Sequence, residues 1–169
     1  MKKVIFVAGS HKASFSSMKL AEETGKEIAK KNCILICGGL TGVMESSCKG
    51  VSEEKGTSIC VIPSNDKSDA NKFCSVVIPS GIGFGRNFIL VNSADAVILI
   101  EGQAGTYIEA LASYLQEKPI IALTGSGGIS DKVKNSFLDD TKKVKILSAS
   151  TPKEAVELAL KKIEEKQSE

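Results

Sequence analysis

The chain has 169 residues, 42% hydrophobic and 25% charged, which suits one compact domain, residues 1–169, with a real core. A net charge of +2 with both signs interspersed, and 5% aromatics without tryptophan, argue against nucleic acid or an anionic membrane as the main partner. Five cysteines at irregular spacing (Cys33, Cys37, Cys48, Cys60, Cys74) and a single distant histidine, His11, predict neither a disulfide framework nor a metal site. Reduced thiols fit the cytoplasm.

The first apolar run, Val4–Ala8, is too short for a signal-peptide core or a membrane span and reads as a buried strand. Residues 16–31 carry apolar positions at helical spacing. A strand over 33–37 follows, then the loop GGLTG and a helix over 43–54. A strand over 57–62 stops at Pro63, and the polar stretch 65–73 reads as a surface loop. A short strand, 75–78, leads through GIGFG into a helix over Arg86–Asn92. Then come a strand at 96–100, a helix at 106–117 and a strand at 119–123. The segment 130–143 is mixed, and 144–147 reads as a last strand. The final helix opens with Thr151 at N-cap, Pro152 at N1 and Glu154 at N3, a capping box.

Strands apolar on both faces, alternating with helices, predict an α/β fold. The expected architecture is a Rossmann-like, doubly wound, mostly parallel sheet of about seven strands with helices on both faces. Glycines concentrate where the apolar strands end: Gly9; Gly38, Gly39 and Gly42; Gly81, Gly83 and Gly85; Gly102 and Gly105; Gly125, Gly127 and Gly128. In such a sheet these loops share the carboxyl edge, where ligands bind. Glycine lets backbone approach a ligand, and the next helix offers free amides, so anion binding is the expected chemistry. Each loop by itself favours a plain turn, and five of them at one edge favour a ligand site. Neither a Walker A loop nor a G-x-G-x-x-G fingerprint is present.

Two side chains stand beside these loops. Arg86 opens a helix, where a guanidinium would pair with phosphate or base or form a surface ion pair. Glu109 follows Thr106 at capping-box spacing, which on local grounds favours a helix cap. A carboxylate beside a phosphate loop would alternatively stabilise a developing cation. Glu101 is a second carboxylate on the same loop.

The stretch GGLTGVME, followed by GRNFILVNSADAVILIEGQAGTYIEA, resembles the LOG ("lonely guy") family, in particular its branch of molybdenum-cofactor carrier proteins. The resemblance implies a Rossmann-like fold, a homodimer or higher homo-oligomer, and either of two functions. One is hydrolysis of the N-glycosidic bond of nucleoside 5′-monophosphates, with Arg86 and Glu109 catalytic. The other is non-catalytic carriage or sensing of a phosphorylated cofactor such as the molybdenum cofactor. No cofactor is required for the first. The implied binding set is Gly9, Ser10, Gly38, Gly39, Thr41, Gly42, Met44, Asn87, Gly102, Gln103, Gly105 and Thr106. The family signature P-G-G-x-G-T-x-x-E meets Glu101 in place of its proline and Gln103 in place of its second glycine. Gln103 would put a side chain where backbone should approach phosphate, and Glu101 would put a negative charge near an anion.

Overall fold

The computed structural model describes residues 1–168. Seven strands are all parallel, in the order β4-β3-β2-β1-β5-β6-β7. They are β1 (Val4–Gly9), β2 (Ile34–Cys37), β3 (Thr57–Ile62), β4 (Val76–Pro79), β5 (Ala96–Ile100), β6 (Ile120–Leu123) and β7 (Leu147–Ala149). Among the described residues there are six helices: α1 (Phe15–Lys30), α2 (Val43–Glu53), α3 (Arg86–Ser93), α4 (Ala104–Leu115) and α5 (Gly128–Val133) connect strands, and α6 (Pro152–Gln167) follows β7. The expected mostly parallel sheet of about seven strands is parallel throughout.

The alternation of side chains along each strand divides the core in two. Ile5 and Val7 face α1, α2 and α6, where Ala21, Ile28, Val51, Ala155 and Ala159 are buried. Phe6 and Ala8 face the other way, toward Leu90, Val91, Ala110 and Tyr114 of α3 and α4. Complete burial of a side chain such as Ile28 contributes about 2 kcal/mol. The β1 and β5 strands start in register, because Asp95 accepts the Val4 amide at 2.8 Å and returns its own amide to the Val4 carbonyl at 2.8 Å.

Three expectations need correction. The last strand lies at Leu147–Ala149, not 144–147; β6 pairs Ile121 with Leu147 and Leu123 with Ala149. Residues 130–143 yield only the short α5, after which Ile146 is buried outside any strand. A disulfide joins Cys60 of β3 to Cys74 before β4, where all five thiols were expected reduced. Pairing of the adjacent strands brings their Cα atoms to 6.0 Å, inside bridging range. At α6 the box is half formed: Thr151 accepts the Glu154 amide at 3.2 Å, but the Glu154 carboxylate takes the amide and hydroxyl of Ser150, both at 2.7 Å. Among the described residues no helix is long and apolar enough to cross a membrane.

Candidate functional site

From β1 the chain winds outward through β2, β3 and β4, then crosses back to β5 on the other side of β1. The loops after β1 and β5 therefore part in opposite directions and leave a crevice at the carboxyl edge. A cleft of about 450 Å³ opens there. Its walls include Gly9, Ser10 and His11 after β1, Leu40 and Met44 at the start of α2, and Pro63 after β3. Gly83, Phe84, Arg86 and Asn87 close one side, and Gln103, Ala104, Gly105, Thr106 and Glu109 of α4 the other. His11, Leu40, Pro63, Gly83, Phe84 and Ala104 were absent from the residues expected by resemblance; Gly83 and Phe84 had a signal in the GIGFG loop.

Arg86 is buried, and its Nη1 donates to the Val61 carbonyl at 3.0 Å. The guanidinium lies against the Cα of Gly38, where any Cβ would collide with both terminal nitrogens. Gly38 is thus required to make room for the arginine. Burial pulls the Arg86 pKa down, and the nearby Glu109 and Cys37 oppose the shift. Three buried polar atoms lack a partner among the described residues: Arg86 Nε, Asn87 Oδ1 and Ser10 Oγ. All three residues line this cleft. An unmet buried polar group costs about 1–3 kcal/mol, so three of them in one cleft wall mark a place where a polar ligand or water would complete the bonding.

The α4 N-terminus faces the same space. Its first internal bond runs from the Tyr107 amide to the Gln103 carbonyl at 3.0 Å, which leaves the amides of Ala104, Gly105 and Thr106 ahead of the helical ladder. A Cβ on Gly105 would meet nothing within 4 Å, so the approach to these amides is open. Free amides at a helix N-terminus favour an anion.

The capping reading of Glu109 is overturned. The N-cap of α4 is Gln103, three residues before Thr106, because Gly102 at φ +95° turns the chain at once after β5. Thr106 and Glu109 therefore lie inside the helix, both buried. Burial pushes the Glu109 pKa up to about 7, against the pull of Arg86. No contact ion pair joins them among the described residues. A carboxyl half-ionised at neutral pH is able to give or take a proton.

Several expected residues stand behind the cleft wall. Thr41 donates its hydroxyl to the His11 carbonyl at 2.9 Å, and Gly42 at φ +67° lets the β2–α2 loop press on Ser10 and His11. Gly39 packs on Cys60 and Ile62, and Gly102 on Thr106. The expected charge conflict at Glu101 does not arise. Its carboxylate accepts the amide of Ser14, the N-cap of α1, at 3.0 Å and so points away from the cleft. Glu101 has φ +56°, which the family's proline, fixed near −65°, cannot adopt. Gln103 sits at φ −125°, where no glycine is needed. A larger depression of about 720 Å³ between α1 and α2 is lined by charges that satisfy one another, with Glu22 and Lys49 at 2.8 Å.

A parallel doubly wound sheet with a cleft at its switch point is the architecture of Rossmann-like ligand-binding proteins. Within that class the chain belongs to the SLOG cluster4 family, whose model matches residues 2–156. The resemblance read from the glycine motifs therefore holds at the level of the family. The structure of TM1055 is 34% identical, with a TM-score of 0.86 over 95% of this chain and 99% of that one. The molybdenum cofactor binding protein of the phototrophic bacterium Rippkaea orientalis is 28% identical, with a TM-score of 0.86 over 96% and 98%. The molybdenum cofactor carrier protein of Chlamydomonas reinhardtii is 26% identical, with a TM-score of 0.80 over 98% and 99%.

Proposed function

We propose that this protein binds a phosphorylated, nucleotide-like cofactor in the β1/β5 cleft and carries it without cleaving it. The molybdenum cofactor, a phosphate-bearing pterin, is the favoured ligand, as for the Rippkaea and Chlamydomonas relatives. The observation that carries the reading is that three residues lining one cleft, Ser10, Arg86 and Asn87, each hold an unpartnered buried polar atom. The phosphate would sit on the amides of Ala104, Gly105 and Thr106. Arg86 would supply the balancing charge, and Asn87 and Ser10 would orient the polar ring. Glu101 and Gln103 depart from the signature of the hydrolytic enzymes.

One observation supports a hydrolytic reading: Glu109, with its pKa near 7, is buried close to Arg86. In a phosphoribohydrolase it would stabilise the cationic sugar as an anion or protonate the leaving base as an acid. Arg86 would hold the phosphate. Both readings place the protein in the cytoplasm, with the phosphorylated ligand and a second copy of itself as partners. The exposed apolar side chains Phe84, Phe88, Tyr107, Ile108 and Leu111 of the α3–α4 face support a homodimer, though Leu90 and Val91 of the FILV stretch are buried.

The test is equilibrium binding of molybdenum cofactor released from a molybdoenzyme, alongside incubation with AMP and other nucleoside monophosphates. Retained cofactor with no free base is the expected result. Saturation at 100 times Kd would add about 2.7 kcal/mol of stability. Release of base that disappears in Glu109→Gln would replace the carrier with the hydrolase. Absence of binding by any of these phosphates would remove both.

A further inference from the structure

Three of the five cysteines, Cys37, Cys48 and Cys60, gather their sulfurs at one point of the core, and a fourth, Cys74, is bonded to Cys60, although all four come from different segments. Cys37 ends β2, Cys48 lies in α2, Cys60 is in β3, and Cys74 precedes β4. Cys37 Sγ is 3.4 Å from Cys48 Sγ and 3.9 Å from Cys60 Sγ, and Cys48 Sγ is 3.6 Å from Cys60 Sγ. Cys60 is disulfide-bonded to Cys74. Cys33 lies apart from this group and is free.

We propose that Cys37, Cys48, Cys60 and Cys74 form a four-thiolate site for a soft divalent cation, zinc by preference, once the Cys60–Cys74 disulfide is reduced. A zinc–sulfur bond of about 2.3 Å in a tetrahedron places neighbouring sulfurs about 3.8 Å apart. The three separations, 3.4, 3.6 and 3.9 Å, already approximate one triangular face of that tetrahedron. Cysteines buried only as small hydrophobes have no reason to gather their sulfurs from separate elements. Soft thiolates select zinc over the hard cations magnesium and calcium.

The scaffold that holds the fourth ligand does not depend on the disulfide. Asn71 Nδ2 donates to the Gly39 and Leu40 carbonyls, both at 3.1 Å, and the Asn71 amide donates to the Gly39 carbonyl at 2.8 Å. These bonds stitch the Cys74 loop to the turn that begins at Cys37. Cys74 is partly exposed and lies beside the edge strand β4, which gives reductant and metal a path to the cluster. The bound core would carry two net negative charges, partly offset by the Arg86 guanidinium packed against Gly38, the residue after Cys37.

The chemistry balances with a phosphine as reductant. The phosphine takes the oxygen of one water and becomes its oxide, the S–S bond breaks, and each sulfur keeps one hydrogen of that water. Binding of the cation to four thiols then releases four protons.

Cobalt(II) is the spectroscopic probe, because a tetrahedral thiolate site gives it intense visible bands. The full chain is reduced with a phosphine, stripped with a chelator and titrated without oxygen. One equivalent of cobalt with tetrahedral thiolate bands, displaced by zinc, is the expected result. The unreduced protein should take up none. Cys33→Ser should bind as wild type, and Cys74→Ser, at a partly exposed position, should lose the bands or weaken binding more than about tenfold, the least that loss of a merely supporting group causes. A reduced chain that binds neither metal overturns the proposal. So does binding that Cys74→Ser leaves unchanged or that Cys33→Ser abolishes. Because no phosphorylated ligand is used, failure here leaves the cleft assignment standing.

Discussion

Two glycine-rich loops leave the same edge of the sheet, one after β5 and one after β6, and only the first builds a cleft. After β5, the amides of Ala104, Gly105 and Thr106 precede the helical ladder, and nothing lies near the Cα of Gly105. After β6, the amides of Gly125 and Gly127 are taken by the Asp131 carboxylate at 3.1 and 2.7 Å. Gly128, at φ +58°, packs against the backbone of Glu101 and Gly102, and Ser126 accepts the Glu101 amide at 2.8 Å. The second loop supplies its own anion and buttresses the first. A glycine loop therefore signals a ligand only when its donors remain unspent, which composition does not reveal.

The largest effect should come from the cleft side. Arg86→Ala removes the charge beside the buried Glu109 and vacates the space that Gly38 keeps free. It should lower stability by about 3 kcal/mol in denaturant unfolding and abolish binding of phosphorylated ligand in the same preparation. Retained affinity would shift the anion site wholly to the amides of α4.

Next in size is a pH effect at Glu109. Its pKa is about 7 in the folded protein against an ordinary 4.5. The folded state thus holds the proton more tightly, and wild-type stability should fall as pH rises from about 4.5 through about 7. Glu109→Gln mimics the protonated form. It should match wild type near the lower limit and exceed it by up to about 3 kcal/mol above the upper one. Chemical unfolding across that pH range tests this, and a gap independent of pH would show that burial of Glu109 carries no charge penalty.

On the β6 side, Asp131→Ala leaves the Gly125 and Gly127 amides without their carboxylate. A loss of about 1–2 kcal/mol is expected in thermal or denaturant unfolding, with ligand affinity unchanged. Weakened binding would show that the two loops are coupled.

The smallest stability change belongs to Gly105→Ala. It meets open space and should stay within about 0.5 kcal/mol of wild type, yet its methyl group would stand between the ligand and the first turn of α4. Calorimetric titration should show about tenfold weaker binding of the phosphorylated ligand, and undiminished affinity would move the phosphate elsewhere in the cleft.

Much of this molecule was written in local pattern. Apolar runs broken by glycine gave the strands and their parallel order, since strands buried on both faces need helices above and below. Thr151 and Pro152 marked the start of α6 because capping is a matter of neighbouring residues. Chain-local signals failed where the answer lay across space. Thr106 and Glu109 carry capping-box spacing, but the turn at Gly102 starts the helix earlier and sends Glu109 into the interior. Glu101 looked like a threat to an anion until its carboxylate was found on Ser14 of a different loop.

The sequence by itself determined the α/β class, the family and the edge on which a cleft opens, because each follows from periodicity and from short contiguous motifs. Only the tertiary structure decided which amides stay unbonded, that Gly38 makes room for Arg86, and that Cys37 and Cys48 meet the Cys60–Cys74 pair. The physical reason is that hydrogen-bond satisfaction and sulfur–sulfur approach are set by residues distant in the chain, and only the packing of the sheet against its helices brings them together.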